Sequence, residues 1–308
     1  YPIVYRDIWD IYDLQRQAFW TPKLIDFSHD RTDWNKLNDD EKYFVKNVLA
    51  FFAGSDGIVN LNLNLNFINE IQTEEARFAY RMQSMMEDIH SETYSIMIDI
   101  YITDDNEKNM LFNAIETIPC VKQKADWAMK WINHDNIPYT MRLIAFAIVE
   151  GIFFSGSFCA IYWLKHRNLL PGLAEANEYI SRDEGIHTNF ACLLYSYFPE
   201  DERIPESTVH EIFTEAYEIE KNFITNSLPC NLIGMNSNDM CLHLQFVADC
   251  LLVKLGYAEL FKIKATPFSF MDSINYDRKT NFFERRVSDY QMATIKNTNN
   301  GVQLTDDF

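Results

Sequence analysis

Apolar positions recur every three to four residues over long stretches of the chain, the spacing that gives an α-helix one apolar face. Asn38, with Glu41 three residues on, predicts an N-cap and capping box. The helix it opens runs through Val45, Leu49, Phe52 and Asp56 toward Asn69. Glu74 and Glu75 suit the first turn of the next helix, where acidic side chains meet the positive end of the dipole. That helix extends to Thr103. Further helices are predicted over about 105–117, 121–132 and 139–167, from a turn at Pro171-Gly172 to Phe198, from Pro205 to before Pro229, and over about 237–256. Residues 1–17 read as an arm with a short helix. After Pro267 the pattern weakens, and residues 275–308 are mostly polar. The expectation is one helical domain over 1–274 and a flexible tail over 275–308.

Composition sharpens this to an all-α class. Gly and Pro number only nine each in 308 residues, while hydrophobic residues make up 47% and aromatics 15%. Few breakers and a large apolar content favour long helices around a sizeable core. The net charge of −18 argues against nucleic acid and anionic membrane surfaces as partners. No P-loop and no Gly-x-Gly-x-x-Gly pattern is present. The six cysteines never form a Cys-x-x-Cys pair and read as buried, reduced thiols of a cytoplasmic protein. From Leu143 to Leu164 the one formal charge is Glu150. Length alone admits a membrane span, but a mid-span carboxylate costs about 2.5–3.5 kcal/mol. This is expected to be the one such segment of the chain and is read as a helix buried on all sides. Its lone carboxylate then needs a partner or a metal.

The chemistry lies on four of these helices. Glu87, His90 and Tyr94 fall three, four and seven residues apart and share one face. Glu184 and His187 repeat the Glu-x-x-His spacing. Twenty-one Glu and seven His give about 0.5 such matches by chance, so context has to carry the reading. The context is that each motif follows a helix bearing a lone acid among apolar neighbours, Asp56 before the first and Glu150 before the second. That set is the ligand pattern of ferritin-like di-iron bundles, one acid from each of two helices and a Glu-x-x-His from each of two others, with Asp in place of the first Glu. Four carboxylates and two imidazoles suit iron or manganese, whereas zinc more often takes Cys or more His. The donor set alone leaves iron and manganese both open. The fold expectation is a ferritin-like helical bundle with additional helices around a buried di-iron core.

The chain contains the strings Ala50-Phe51-Phe52-Ala53-Gly54-Ser55-Asp56, Glu87-Asp88-Ile89-His90-Ser91-Glu92, Val149-Glu150-Gly151-Ile152-Phe153-Phe154, Ile180-Ser181-Arg182-Asp183-Glu184-Gly185-Ile186-His187 and Lys279-Thr280-Asn281-Phe282-Phe283-Glu284. Through them it resembles a known family, the small radical-generating subunit of class I ribonucleotide reductase in its eukaryotic or eukaryotic-virus form, and the resemblance covers essentially the whole chain. It implies that Asp56, Glu87, His90, Glu150, Glu184 and His187 bind the two irons and that Tyr94 carries a stable radical formed with oxygen. Trp20, Asp183 with His90, and Arg182 would match the electron route to the surface. Tyr290 would match the relay to a large subunit, and residues 304–308 the peptide that docks on it. The product would be deoxyribonucleotides, made with the large subunit, and a homodimer is implied. A stand-alone, desaturase-like di-iron oxidase is the alternative.

Phe154 and Phe158 follow Glu150 by four and eight residues and, with Ile180, are placed to wall off Tyr94. The same residues would serve equally as ordinary core. Asp183 suits a carboxylate that orients a metal-binding imidazole. Trp20 and Tyr290 would otherwise be anchoring aromatics, and the tail plain disorder. Three departures from the family pattern, Leu61, Gln17 and Arg278, bear on partner or dimer contacts. Some members lose ligands and act as scaffolds; this chain keeps all six.

Overall fold

The computed structural model describes residues 2–132, 137–227 and 229–271. Among these the structure is helical, with no strand. The longer helices are α1 (Arg6–Gln17), α2 (Asp39–Asn62), α3 (Glu74–Tyr101), α4 (Pro119–Ile132), α5 (Tyr139–Ile148), α6 (Ser155–His166), α7 (Pro171–Ser196), α8 (Glu206–Asn222) and α9 (Ser237–Lys254). The helix α2 packs along α3, α5 and α6 pack along α7, and α3 meets α7. These form the inner bundle. On its outside α1 lies against α3 and α7, α4 against α2, and α8 against α9.

The local signals behave as their chemistry requires. The Asn38 side chain accepts from the Glu41 amide at 2.9 Å, and Glu41 accepts from the Asn38 amide at 3.0 Å, so the capping box closes. Pro171 is not part of a preceding turn. It is the first residue of α7, where its missing N–H costs nothing and its fixed φ is already helical. The two amides after it donate to Asp30, Gly172 N to Oδ1 and Leu173 N to Oδ2, each at 2.8 Å. A Cβ on Gly172 would lie 2.6 Å from Phe27 Cδ1 and 3.0 Å from the Asp26 carbonyl, so glycine is needed for this approach. Tyr101 Oη donates to the same Asp30 carboxylate at 2.5 Å. A short helix, Asp30–Trp34, thus ties the end of α3 to the start of α7.

The apolar segment differs most from expectation. It is not one α-helix but α5 and α6 joined by a π-helical turn, Val149–Phe153, that contains Glu150. π-turns follow α2 and α8 as well, at Leu63–Phe67 and Phe223–Ser227. The hydrophobic window in Tyr139–His166 is 94% buried, as a core helix should be. It is not the one segment of its kind: Asp39–Glu70 is also long and apolar enough to span a membrane, and its window is 56% buried. Its inner side carries Asp56, and its outer side exposes Leu61 and Leu65. None of the six cysteines forms a disulfide; Cys120 and Cys241 are half-buried and the others buried. Tyr290, Arg278 and the whole segment 275–308 lie outside the described residues.

Candidate metal centre

Each of the six expected ligands is at most 2% exposed. The structure brings them together in two overlapping sets. Asp56, Glu87 and His90 can offer ligand atoms within 4.8 Å of one another, and so can Glu87, Glu150, Glu184 and His187. Glu87 belongs to both. Glu184 reaches across as well, since its Oε1 lies 3.1 Å from His90 Nδ1 and its Oε2 lies 3.0 Å from His187 Nδ1. His187 Nδ1 is also 3.0 Å from Glu87 Oε1.

The arrangement fits metal on the evidence of its own unmet demands. Both Asp56 oxygens and Glu150 Oε2 are buried without a hydrogen-bond partner, a costly state for a carboxylate. Burial, then the Glu87 charge, pushes the Asp56 carboxyl well above its usual value. Burial, then Glu184, does the same to Glu150. Burial lowers both imidazoles, but the carboxylates outweigh it: Asp183, Glu184 and Glu87 lift His90 well above its ordinary value, and Glu184 and Glu87 lift His187 to about 9. Four carboxylates and two imidazoles are tolerated together here by retaining protons, which a bound cation would displace.

Around this cluster the protein fixes ring orientation. His90 turns Nδ1 to the ligands and places Nε2 3.1 Å from Asp183 Oδ2. The same oxygen accepts from Trp20 Nε1 at 2.7 Å. Arg182 holds the other oxygen, with Nη2 3.0 Å from Oδ1, and donates from Nη2 to the Ala18 carbonyl at 2.5 Å. Trp20 stacks on Tyr179 with centroids 5.2 Å apart. So Trp20, Asp183, His90 and Arg182 form one connected path, and α1 delivers Trp20 to it.

Tyr94 is 1% exposed. Burial, then the charges of Asp56 and Glu184, keeps its phenol protonated well above the usual value. Its hydroxyl has no hydrogen-bond partner. Phe52 stacks on its ring at 4.9 Å and in turn packs on Phe158 at 5.3 Å and Phe154 at 5.8 Å. Ile180 is buried in the same core. Two residues escaped the sequence reading. Phe52 lies four residues before Asp56 and Gln83 four before Glu87, so helical spacing alone placed both on the ligand faces. Gln83 is fully buried and donates from Nε2 to Glu150 Oε1 at 2.9 Å.

A helical bundle whose buried carboxylates and imidazoles converge around shared ligands is a metal-dependent carboxylate protein of the ferritin-like kind. Comparison with known proteins narrows the class. The family model "Ribonucleotide reductase, small chain" matches residues 1–267, and the chain belongs to that family. The chain is 54% identical, over all of its length and 96% of the relative's, to the ribonucleoside-diphosphate reductase small chain of vaccinia virus strain Ankara. Among solved structures it is similar to the ribonucleotide reductase Rnr4 homodimer of Saccharomyces cerevisiae, with a TM-score of 0.82 and 39% identity over 95% of this chain and 89% of that one. A dimanganese(II) NrdF from Streptococcus sanguinis shares the fold, with a TM-score of 0.73 and 24% identity over 86% of this chain and 93% of that one.

Proposed function

We propose that the protein is the radical-generating small subunit of a ribonucleoside-diphosphate reductase. Asp56, Glu87, His90, Glu150, Glu184 and His187 hold two metal ions, which we assign as iron rather than manganese. With oxygen, such a pair supplies a strong one-electron oxidant. The residues of this chain do the rest. Gln83 orients Glu150, and Asp183 orients His90 through Nε2. Tyr94 gives up an electron together with its phenolic proton, because a phenol so buried does not ionise beforehand. Phe52, Phe154, Phe158 and Ile180 keep water and reductants from the resulting ring. Trp20, Asp183, His90 and Arg182 conduct the electron between core and surface, and Tyr290 relays it to a large subunit that carries the nucleotide site. Residues 1–274 form the catalytic domain, and 275–308 the tail whose last residues, 304–308, dock on the large subunit.

The observation that carries this reading is the pairing of two ligand sets sharing Glu87 with a buried tyrosine under aromatic cover. A stand-alone oxidase would need a substrate beside the ligands, where this core places aromatic rings. A homodimer is supported by the yeast relative, and we assign it to the α2–α3 face that exposes Leu61, Leu65 and Met85. The cytoplasm is the compartment that six cysteines without a disulfide suit. The test is reduction of a ribonucleoside diphosphate by the metal-loaded protein with its large subunit. Removing Thr305 to Phe308 leaves the tyrosyl radical intact and abolishes reduction. Undiminished reduction by the shortened chain would refute the docking role.

A further inference from the structure

A second buried charged group lies outside the ligand cluster. Lys124 on α4 and Glu220 on α8 are 1% and 0% exposed. Lys124 Nζ is 2.6 Å from Glu220 Oε2 and donates to the Phe153 carbonyl at 2.5 Å. It also lies over the Phe51 and Phe223 rings, 3.5 and 4.0 Å from their centroids. Pairs of this kind are poor sources of stability. Desolvation costs about what the attraction returns, and exchanging both partners for apolar residues is often neutral. What such a pair can supply is a defined geometry.

The geometry in question is that of the π-turn. An extra residue in the helical repeat swings everything after it by roughly 100° relative to an unbroken α-helix. Here the turn separates Ile148 from Ser155 and contains Glu150. The same residues could close an ordinary α-helix, so outside contacts must favour the π form. Its last two carbonyls receive side-chain donors: Ser155 Oγ donates to Ile152 O at 2.7 Å, and Lys124 Nζ to Phe153 O. Glu220 closes the far side, since a Cβ on Gly156 would lie only 2.6 Å from its Oε1. The rings continue inward: Phe51 packs on Phe154 at 5.4 Å and on Phe52 at 5.7 Å, and Phe52 stacks on Tyr94.

We propose that Lys124 and Glu220 are positioning residues that latch the π-turn, presenting Glu150 to the metal ligands and Phe154 and Phe158 to the wall beside Tyr94. The inference rests on the metal-centre reading above. It is tested by Mn(II) titration of the metal-free, full-length protein, followed by the resonance of the free ion. Lys124→Met alone strands a buried carboxylate and is expected to unfold readily. The double variant Lys124→Met with Glu220→Met removes both charges and should melt within about 4 °C of wild type. Its Mn(II) affinity should nevertheless fall by at least about tenfold, the scale of losses when support outside the ligands is removed. A destabilising core variant on a helix that packs on α2 rather than on the turn, Leu111→Ala in Asp105–Phe112, should keep wild-type affinity even though it lowers the melting point. Wild-type affinity in the double variant would overturn the latch and leave the metal centre standing. Absence of both Mn(II) and iron(II) uptake by wild type would overturn both. A second measurement needs no variant: amide hydrogen exchange over 149–156 in the metal-free wild type should be as slow as in α7. Exchange at surface-loop rates would show that nothing holds the turn before metal arrives, and would overturn the latch.

Discussion

Two clusters of buried charge share this core, and they are completed in different ways. Lys124 and Glu220 balance each other one for one. Burial pulls the lysine down to about 8 and pushes the glutamate up to about 7, and in each case the partner's charge opposes the shift. The carboxylate–imidazole cluster has no such one-for-one pairing. Oxygens of Asp56, Glu150 and Glu220 all lack hydrogen-bond partners, but Glu220 Oε2 faces the Lys124 ammonium at 2.6 Å, whereas around Asp56 and Glu150 acids crowd acids. The contrast separates buried charge that serves the fold from buried charge that awaits a cation. Burial and ionisable side chains are common to both; only the balance of donors and acceptors tells them apart.

The contrast can be broken most severely at Glu87, the ligand common to both sets. Glu87→Ala should abolish binding of both metals and the radical, while the apoprotein remains folded because one buried acid among many has been removed. Metal analysis and circular dichroism check the two halves. Phe52→Ala comes next. It opens a cavity beside Tyr94 and should cost about 3–5 kcal/mol in denaturant unfolding. The radical in the folded fraction should decay faster, because its cover is gone. A pH series sharpens the comparison further. His187, lifted to about 9, must lose its proton to bind metal, so this proton alone should make metal affinity rise by up to about tenfold per pH unit toward pH 9, and the raised His90, Asp56 and Glu150 should steepen the rise. In the metal-free protein the sign is opposite. The stabilisation from protonated His187 is fully present below about 6.5 and is lost as pH rises through 9. Calorimetry with and without Mn(II) reads both slopes. The smallest effect belongs to the fold alone: Asn38→Ala should lower stability by about 1 kcal/mol through the lost cap and leave metal affinity unchanged.

The faces that bring these carboxylates and imidazoles together were legible in the sequence because helical periodicity is local. Glu87, His90 and Tyr94 declare a shared face whatever surrounds them, and the Glu184 and His187 pair repeats the signature. The capping box at Asn38 was legible for the same reason. The π-turn was not, since nothing in an unbroken apolar run marks where one residue too many enters the repeat. Lys124 sits in the polar stretch Lys122-Gln123-Lys124, whose composition carries no sign of burial. Asp30 caps α7 from far away in sequence, and Trp20 meets Asp183 across the bundle. Such contacts are set by how helices pack, which spacing along one helix does not encode. The family resemblance supplied Trp20 as a candidate; geometry added Tyr179 stacked on it, Gln83 on Glu150 and Phe52 on Tyr94.

The most direct test of the account is electron paramagnetic resonance after adding iron(II) and oxygen to the metal-free protein, wild type and Tyr94→Phe side by side. The account predicts a tyrosyl signal in wild type, narrowed when tyrosine is deuterated at its β-carbon, and none in Tyr94→Phe despite equal iron content. A wild type that binds two irons and gives no such signal, or a Tyr94→Phe protein that gives the same signal, would contradict it.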